Sequence, residues 1–332
     1  MAVLVTGGAG YIGSHMVLAL IEAGERVIVV DDLSTGRREA VPDGVRLEVA
    51  DVGDAAAMGQ LMVEEGIESV LHFAGSIVVP DSIADPLGYY LNNTVKSRAL
   101  IDTAVKSGVR HFVFSSTAAV YGIPESNPIP EDAALQPISP YGSSKLMTEI
   151  MLRDTAAAHG LNCAVLRYFN VAGADPDLRS GQSTPRATHL IKVACQAAVG
   201  LRPEIEIYGD DYATPDGTCI RDYIHVSDLA NAHLLALDHL RGAGGSLLVN
   251  CGYGKGHSVR EVIETVRRAS GIDIATRVTA RRPGDPDVLV AGAQRIRDEL
   301  GWRPVHDDLD AIVAHALAWE KRLAAEVAGN VQ

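Results

Sequence analysis

Short apolar runs alternate with amphipathic stretches along the first half of the chain. The apolar runs lie at residues 2–5, 26–30, 45–50, 69–73, 111–115 and 163–167. Helical spacing of apolar positions appears at residues 14–23, 55–65 and 89–106 and in a stretch that begins near Tyr141. This alternation is typical of parallel strands that are covered on both faces. It predicts an α/β fold with a doubly wound parallel sheet, because right-handed crossovers place helices on both sides.

The pattern changes after Asn170. Residues 174–188 and 209–217 are rich in Gly, Pro, Asp, Ser and Thr and are predicted to be loops. A helix is predicted at residues 190–199, a strand at 247–251, and a helix and a strand at 261–270 and 274–278. We therefore expect a large domain over residues 1–170, to which segments around 220–250 return. A smaller C-terminal α/β lobe is expected over residues 171–332.

Composition excludes several classes of protein. With 47% hydrophobic and 21% charged residues among 332, the chain can bury a large core. A formal net charge of −13 argues against a general nucleic-acid or anionic-membrane surface, because phosphate groups bind to positive surfaces. The four cysteines form no Cys-x-x-Cys pair, so we expect neither a metal site nor a disulfide framework. Without an export signal or a membrane-spanning apolar run, the sequence predicts a cytoplasmic protein.

A glycine-rich turn follows the first predicted strand and leads into the first predicted helix. Gly7, Gly10 and Gly13 have the spacing G-x-x-G-x-x-G, and Tyr11 and Ile12 begin the helix. Such a turn lets the backbone approach a pyrophosphate, whose charge meets free N–H groups at the helix N-terminus. Surface turns are glycine-rich too, so the spacing alone is a weak signal. Its place directly after a strand predicts a Rossmann-type, dinucleotide-binding fold.

An acidic residue, Asp31, ends the second predicted strand, where a carboxylate can accept hydrogen bonds from the adenosine ribose. A carboxylate there repels a 2′-phosphate, so the sequence predicts NAD rather than NADP. Arg37 and Arg38 lie nearby and would favour the phosphate, and a capping or turn role for Asp31 is the other interpretation. Asp51, which follows the third predicted strand, is a weaker candidate for an adenine contact.

Tyr141 and Lys145 lie four residues apart near the start of a predicted helix, so they share one of its faces. A phenol loses its proton near pH 10, and a nearby ammonium group lowers that pKa toward the range of a useful base. The spacing alone is usually that of an ordinary amphipathic helix. Upstream, however, a buried strand ends in hydroxyl residues, and its Thr117 could share a substrate proton with Tyr141. The three residues together predict proton transfer to and from a hydroxyl group.

These motifs together resemble the extended short-chain dehydrogenase/reductase family. The resemblance rests on the glycine turn, residues 114–122, the Tyr141/Lys145 pair and residues 166–170. Within that family, the chain is similar to the UDP-glucose 4-epimerase type at residues 208–212, 216–218, 221–226, 281–285 and 300–302. The similarity runs to about residue 320, and these later motifs are more specific than the glycine turn.

The resemblance implies an isomerase that interconverts UDP-glucose and UDP-galactose with tightly bound NAD. Because the C4 hydrogen of a hexose is not acidic, simple proton removal cannot invert that carbon. Tyr141 would take the 4-hydroxyl proton while C4 gives a hydride to NAD. The resulting 4-keto sugar would turn about its link to the diphosphate and take the hydride back. A homodimer is also implied, with residues 1–170 binding NAD and residues 171–332 mainly binding the UDP-sugar.

The resemblance also implies roles for individual residues. The catalytic set is Thr117, Tyr141 and Lys145. The expected cofactor contacts are Gly7, Gly10, Tyr11, Ile12, Gly13, Asp31, Asp51, Phe73, Asn92, Ser115, Tyr141, Lys145 and Tyr168. The expected substrate contacts are Thr117, Tyr141, Asn170, His189, Leu190, Tyr208, Arg221, Arg282, Asp285 and Leu289. His225 and Trp302 are expected to be structural.

Three positions depart from the family's pattern. Ile77 stands where the best-known bacterial members have a lysine near the cofactor, and His189 where some members have an asparagine. Leu289 stands where some members have a tyrosine and others a small residue. That position is thought to limit whether an N-acetylated sugar can turn in the pocket. Leucine is intermediate in size, so the sequence leaves acceptance of such sugars open.

Other functions remain open to different degrees. A nucleotide-sugar 4,6-dehydratase needs an Asp-Glu pair directly after the strand-end threonine, where this chain has Ala118 and Ala119. Epimerases of UDP-GlcNAc/GalNAc, UDP-xylose/arabinose or UDP-glucuronate share the mechanism and differ only in pocket details. A non-catalytic NAD-binding protein could keep the same fold, although the intact catalytic set argues against it.

Overall fold

A computed structural model describes residues 2–184, 187–242, 244–282 and 284–329. The strands are β1 (Ala2–Thr6), β2 (Arg26–Asp31), β3 (Arg46–Val49), β4 (Ile67–His72), β5 (His111–Thr117), β6 (Asn162–Tyr168), β7 (Asn170–Ala172), β8 (Ile205–Tyr208), β9 (Ile220–Arg221), β10 (Tyr223–His225), β11 (Leu247–Cys251), β12 (His257–Ser258), β13 (Thr276–Thr279) and β14 (Val288–Leu289). The helices are α1 (Tyr11–Glu22), α2 (Ala55–Glu64), α3 (Val79–Ala84), α4 (Pro86–Tyr89), α5 (Lys96–Lys106), α6 (Pro140–His159), α7 (Leu190–Ala198), α8 (Val226–Arg241), α9 (Val259–Ser270), α10 (Gln294–Leu300) and α11 (Leu309–Gly329). Among these described residues, no helix has the length and apolar character needed to cross a membrane.

The large sheet is parallel and has seven strands in the order β11-β6-β5-β4-β1-β2-β3. This arrangement confirms the predicted doubly wound α/β fold. The strand order changes direction between β1 and β4, which pair directly although two other strands separate them in sequence. Open α/β sheets bind their ligands at the carboxyl ends of such a switch point. The fold therefore places the glycine turn, which follows β1, at the edge of the sheet where a ligand is expected.

Both faces of the large sheet are apolar. Val3 and Val5 of β1 pack into one core cluster, while Leu4 between them packs into the other. Helices α1 and α8 cover the first face, and α2 and α5 cover the second. Side chains alternate along a strand, so a strand buried on both faces has a continuous apolar sequence. This is the physical origin of the apolar runs in the first half of the chain.

The second lobe contains three small sheets. They pair β7 with β10, β8 with β13, and β12 with β9 and β14. These strands are only two to four residues long, which is too short to give a reliable alternation in the sequence. Helices α7, α9 and α11 pack together beside them. Trp302 is buried there, and its indole N–H donates to the backbone oxygen of Asp228, 3.1 Å away.

The predicted helix at residues 89–106 differs from the structure. Instead of one regular helix, α4 leads into a π-helical segment, Tyr90–Val95, and only then into α5. In the widened turn, Asn93 is buried, and its side chain bonds the backbone N–H and C=O of Ser76 at 2.7 and 2.9 Å. Apolar periodicity does not distinguish a π-helix from an α-helix over so few residues. Such bulges are frequent at functional sites.

Candidate active site

The glycine turn has the geometry that its sequence predicted. Gly7 has φ +70°, and a side chain there would place Cβ 2.6 Å from the backbone nitrogen of Ala74. At Gly13 a Cβ would lie 2.1 Å from the carbonyl oxygen of Gly7, so the helix packs directly on the turn. Helix α1 begins at Tyr11, directly after Gly10. Its first N–H groups have no partner within the helix, so they remain available to an anion.

Side chains around the turn are held by the protein itself. The hydroxyl of Tyr11 donates to the carbonyl oxygen of Gly173 at 2.7 Å, so its ring points into the structure and its backbone faces the turn. Ile12 packs against the first core cluster. A cleft of about 560 Å³ lies beside Gly10 and Tyr11, with Arg37 on its rim. The backbone of the helix start, rather than these side chains, is therefore what a bound phosphate would meet.

Asp31 connects the second strand to the glycine turn. One of its carboxylate oxygens accepts from the N–H of Ala9 and the other from the N–H of Leu33, both at 2.9 Å. Burial raises the pKa of this carboxyl. Two oxygens offer about four acceptor positions, so the side chain keeps capacity for ribose hydroxyls. Asp51 lies beyond β3, the neighbour of β2, and forms an ion pair with Lys96 at 2.8 Å.

The remaining predicted cofactor residues lie along the carboxyl ends of the central strands. Phe73 follows β4, and its ring centroid lies 4.9 Å from that of His233. Asn92 belongs to the π-helical segment and donates to the hydroxyl of Ser76 at 2.9 Å. The hydroxyl groups of Ser115 on β5 and Tyr168 on β6 are 2.6 Å apart. Ile77, the departure from the family's lysine, is exposed.

The predicted catalytic residues meet at the end of β5. Helix α6 begins as the sequence indicated, with Ser139 as the cap, Pro140 in the first turn and Tyr141 next to it. The hydroxyl of Thr117 lies near the phenol of Tyr141, where it acts to lower the pKa of that phenol. One turn further, the ammonium of Lys145 donates to the carbonyl oxygen of Ser115 at 3.1 Å. All three catalytic side chains are therefore anchored on two elements, β5 and α6.

Burial determines the protonation of the pair. Tyr141 is 7% exposed and Lys145 3% exposed. Burial raises the pKa of Tyr141 to about 12, against the opposing effect of the Thr117 hydroxyl. Burial lowers the pKa of Lys145 to about 8, against the opposing effect of the carboxylate of Glu149. At neutral pH the site therefore holds a phenol and an ammonium ion, one helical turn apart.

Sequence reasoning missed two polar groups beneath this pair. Glu149 is buried one turn beyond Lys145 and forms an ion pair with Arg167 of β6 at 2.6 Å. Asn93 is buried in the π-helical segment and donates to the hydroxyl of Ser144 at 3.1 Å. A signal for Glu149 was present, because it continues the four-residue spacing of Tyr141 and Lys145. For Asn93 there was none, because its role depends on a local change of helix type.

The predicted phosphate-side residues line a second cleft of about 380 Å³ between β7, α7 and α11. Asn170, His189 and Leu190 are all on its wall, together with Tyr223. The Nδ1 atom of His189 lies 2.7 Å from the side-chain nitrogen of Gln182. Burial lowers the pKa of this histidine, so it is neutral at pH 7. The cleft thus presents amide and imidazole groups rather than a formal charge from these positions.

The other predicted substrate residues lie on the small sheets of the second lobe. Arg221 of β9 is beside Leu289 of β14 in the strand register. The guanidinium of Arg221 forms an ion pair with Asp285 at 2.5 Å. The guanidinium of Arg282 lies 3.7 Å from the ring centroid of Tyr208. These residues therefore form two pairs, one joining Arg221 to the carboxylate of Asp285 and the other joining Arg282 to the ring of Tyr208.

Two connections join the small sheets to the catalytic end of the large one. The N–H of Asn170 donates to the carbonyl oxygen of Asp222, the residue after Arg221, at 3.0 Å. The N–H of Ile129, in the segment between β5 and α6, donates to the carbonyl oxygen of Val290 at 2.8 Å. The segment that leads into α6, the helix of Tyr141, is therefore hydrogen-bonded to the residue that follows Leu289. Pro283, in the predicted motif at residues 281–285, lies outside the described residues.

Comparison with known proteins gives consistent results. Residues 3–252 match the model of the "NAD dependent epimerase/dehydratase family". A UDP-glucose 4-epimerase of Azospirillum brasilense is 62% identical over 98% of this chain and 93% of its own length. A crystal structure of a Stenotrophomonas maltophila UDP-glucose-4-epimerase with bound NAD and formylated UDP-arabinopyranose has a TM-score of 0.95 and 39% identity, covering 98% of this chain and 99% of that one. A Campylobacter jejuni UDP-Glc/GlcNAc 4-epimerase has a TM-score of 0.86 and 46% identity, covering 97% and 99%.

Proposed function

Because the chain belongs to the NAD-dependent epimerase/dehydratase family and, within it, to the UDP-glucose 4-epimerases, we propose that it interconverts UDP-glucose and UDP-galactose. The observation that carries the proposal is the meeting of Thr117, Tyr141 and Lys145 at the end of β5, beside the glycine turn. NAD is the cofactor, and when bound it supplies a hydride acceptor and a positive charge. The free N–H groups of the α1 N-terminus and the carboxylate of Asp31 suit its pyrophosphate and its ribose.

The protein's own residues carry the proton. Tyr141 removes the proton of the sugar's 4-hydroxyl while Thr117 shares the hydrogen bond, and the C4 hydride leaves in the same step. Before NAD binds, Tyr141 is a neutral phenol, because burial raises its pKa to about 12. The positive charge that bound NAD would supply, together with the ammonium of Lys145, would favour the phenolate that takes this proton. Because the site is buried, these hydrogen bonds are stronger than they would be in water. After the 4-keto sugar has turned, Tyr141 returns the proton and C4 regains the hydride on its other face.

UDP is the part of the substrate that stays fixed while the sugar turns. Arg221 suits the diphosphate, because a planar guanidinium can donate two parallel hydrogen bonds to phosphate oxygens. Arg282, stacked on the ring of Tyr208, suits the uridine part of UDP. Asn170, His189 and Leu190 line the cleft beside them, Tyr208 lies against Arg282, and Asp285 already pairs with Arg221. We assign residues 1–170 to the NAD-binding domain, together with the later segments that return to the large sheet, α8 and β11. Residues 171–332 mainly bind the UDP-sugar.

Elimination of water from the sugar is disfavoured by the residues after Thr117. A 4,6-dehydratase needs an acid there, and the short helical turn Ala118–Val120 offers only apolar side chains. Leu289 is half-buried beside Arg221. Because leucine is intermediate in size, UDP-sugars with an N-acetyl group are the second candidate substrates. The Campylobacter jejuni relative, named for both UDP-Glc and GlcNAc, favours testing these substrates.

The decisive experiment incubates the purified protein with UDP-galactose and follows UDP-glucose without any added reductant. We expect conversion in both directions to one equilibrium ratio, because NAD is regenerated in every cycle. The same assay with UDP-GalNAc tests the second candidate. Lack of turnover with every UDP-hexose, or a requirement for stoichiometric NAD(P)H, would overturn the epimerase function.

We also propose a homodimer, which an apolar face formed by α6 and the segments before it supports. Seven large apolar side chains on this face are exposed, namely Val79, Ile83, Leu87, Leu91, Val95, Met147 and Ile150. Its rim carries Arg98, Asp102, Arg153 and Asp154, two charges of each sign. When two copies associate through this same face, the rim of one copy meets the rim of the other, so that opposite charges can form ion pairs.

Sedimentation velocity tests the dimer. Leu87→Arg should shift the protein from dimer to monomer, because it places an uncompensated charge in the centre of the apolar face. Leu201→Arg, at a leucine of the second lobe that is also exposed, is the control and should leave the mass unchanged. A wild-type protein that sediments as a monomer at micromolar concentration would contradict the proposal.

We also assign the protein to the cytoplasm. All four cysteines are buried and unpaired. Burial raises the pKa of Cys163 and Cys195 to about 12, which keeps those thiols protonated and unreactive. Unpaired thiols are usual in reducing compartments. Fractionation of the native host's cells would test the assignment, and recovery with the membrane or external fraction would contradict it.

A further inference from the structure

A buried ion pair lies directly beneath the catalytic residues and is not used by the mechanism above. Glu149 and Arg167 are 5% and 2% exposed, and their Oε2 and Nη2 atoms are 2.6 Å apart. The hydroxyl of Ser116 donates to the other oxygen of Glu149. Glu149 is therefore one helical turn from Lys145 and in contact with the residue before Thr117. It touches both elements that carry the catalytic set.

Arg167 extends these contacts toward the second lobe. Its Nη1 donates to the hydroxyl of Tyr121 at 3.0 Å and to the carbonyl oxygen of Glu131 at 3.1 Å. Two residues before Glu131, Ile129 hydrogen-bonds the backbone of Val290 and of Gly292, each at 2.8 Å. These partners directly follow the strand that carries Leu289. Hydrogen bonds and the short backbone segment 129–131 thus link helix α6 to the proposed sugar pocket.

Buried ion pairs often contribute little net stability, because desolvation of the charges offsets their attraction. Apolar side chains of similar volume would fill the same space. Glu149, however, fixes three elements by charged hydrogen bonds that have defined directions. We propose that Glu149 and Arg167 are positioning residues, which hold Tyr141 and Lys145 in register with Thr117 and with the strand carrying Leu289. This inference rests on the proposed epimerase function.

The charges around Lys145 make the proposal testable. Burial lowers the pKa of Lys145, and the carboxylate of Glu149 acts in the opposite direction. Opposite Lys145, the β4 residue His72 is buried, and burial together with the Lys145 charge lowers its pKa to about 3. Tyr141 is a neutral phenol at neutral pH and adds no charge. Neutralising Glu149 therefore leaves the Lys145 ammonium without its stabilising carboxylate, and its pKa should fall.

The first measurement is kinetic and compares Glu149→Gln with Glu149→Asp. In Glu149→Gln, kcat for UDP-galactose should fall about 10–100-fold with KM within about threefold, because small misplacements of reacting groups have effects of this size. The alkaline limb of the kcat profile should also move to lower pH. Glu149→Asp keeps the charge but shortens the side chain, so its limb should stay in place while kcat falls less. If Glu149→Gln and Glu149→Asp had the same kcat and lost activity at the same alkaline pH, a positioning role would be contradicted.

The second measurement needs no turnover. The chain has only six lysines, so the ε-carbon of Lys145 can be followed by ¹³C NMR and assigned with Lys145→Met. Titration of the purified protein should give a lower Lys145 pKa in Glu149→Gln than in the wild type or in Glu149→Asp. An unchanged pKa overturns the proposal. Because this readout is independent of substrate, a wild type inactive on UDP-galactose would contradict only the proposed function.

Two further variants separate positioning from stability. Glu25→Gln removes the carboxylate of a partly buried ion pair with Arg241, formed at 2.6 Å far from the catalytic set, and should leave kcat and its pH profile unchanged. If Glu149→Gln does not fold, Glu149→Gln/Arg167→Met removes the unpaired buried charge as well. This double variant should fold and still show the lowered Lys145 pKa. A wild-type value in the double variant would overturn the proposal.

Discussion

The two sides of the proposed active site are built in different ways. On the side of the large sheet, Thr117, Tyr141 and Lys145 are buried, and the side chains of Thr117 and Lys145 are hydrogen-bonded to the backbone. On the side of the second lobe, Arg282 is exposed and Asp285 keeps 30% of its side chain in solvent. We therefore expect the first set to keep one arrangement whether or not substrate is present. The second set is held by contacts among its own side chains, the Arg221–Asp285 ion pair and the stack of Arg282 on Tyr208, which a substrate can replace. Substitutions should therefore change the rate on the first side and the affinity on the second.

The largest effect should come from Tyr141→Phe. Removing the hydroxyl deletes the group that carries the proton, so kcat should fall about 10³-fold, within the range for general acid–base groups. The affinity for UDP, measured by calorimetry, should stay within about twofold because the UDP contacts lie on the other lobe. Tyr89→Phe is the matched control, since within the described part of the chain its hydroxyl bonds the backbone of Val78, at 2.6–2.9 Å. Equal rates for the two variants would remove Tyr141 from its role.

Arg221→Ala should show the opposite behaviour. Charged hydrogen bonds to a phosphate are worth about 1.5–3 kcal/mol, so KM and the UDP dissociation constant should rise about 10–100-fold. Asp285 loses its partner in the same variant, and its freed charge adds repulsion toward the diphosphate. The kcat at saturation should change less than about fivefold. A large loss of kcat with unchanged KM would show that the two sides are not separate.

The comparison also explains what the sequence could predict. The glycine turn, Asp31 and the Tyr141/Lys145 pair each depend on neighbours within a few residues, so their spacing in the chain carries their geometry. The doubly wound sheet was predictable for the same reason, because its strands are buried on both faces and have continuous apolar sequences.

The shortest strands of the second lobe gave no such local signal, although its helices α7 and α9 were predicted. Leu289 comes beside Arg221 only through the pairing of two-residue strands far apart in sequence. Helix α8, which covers the large sheet, was not predicted either. The roles implied for residues 170–289 came from resemblance rather than from pattern. Glu149 and Asn93 show a third case, in which buried polar residues looked like ordinary helix positions.

A smaller effect, on specificity, should come from Leu289→Ala. Removing three carbons beside Arg221 enlarges the pocket, so kcat/KM for UDP-GalNAc relative to UDP-galactose should rise about tenfold, within the range for such apolar changes. Val288→Ala, one position earlier in β14, is the matched control and should leave the ratio unchanged. The ratio is measured with both substrates in parallel assays. If both variants alter it equally, Leu289 does not define the sugar pocket.

The smallest effect should come from Arg282→Leu, and it tests whether the stack on Tyr208 contributes to UDP binding. Exposed cation–π contacts are worth about 0.5–1 kcal/mol, so calorimetry should give a two- to fivefold weaker UDP affinity with unchanged kcat. The chain contains its own control, because the guanidinium of Arg281 lies 4.0 Å from the ring centroid of Tyr212 in the same manner. Arg281→Leu removes an equivalent stack that the proposed site does not use, and it should leave UDP affinity unchanged. Equal losses in the two variants would mean that both act through the charge of the lobe, and a loss above about 30-fold in Arg282→Leu would indicate a direct phosphate contact instead.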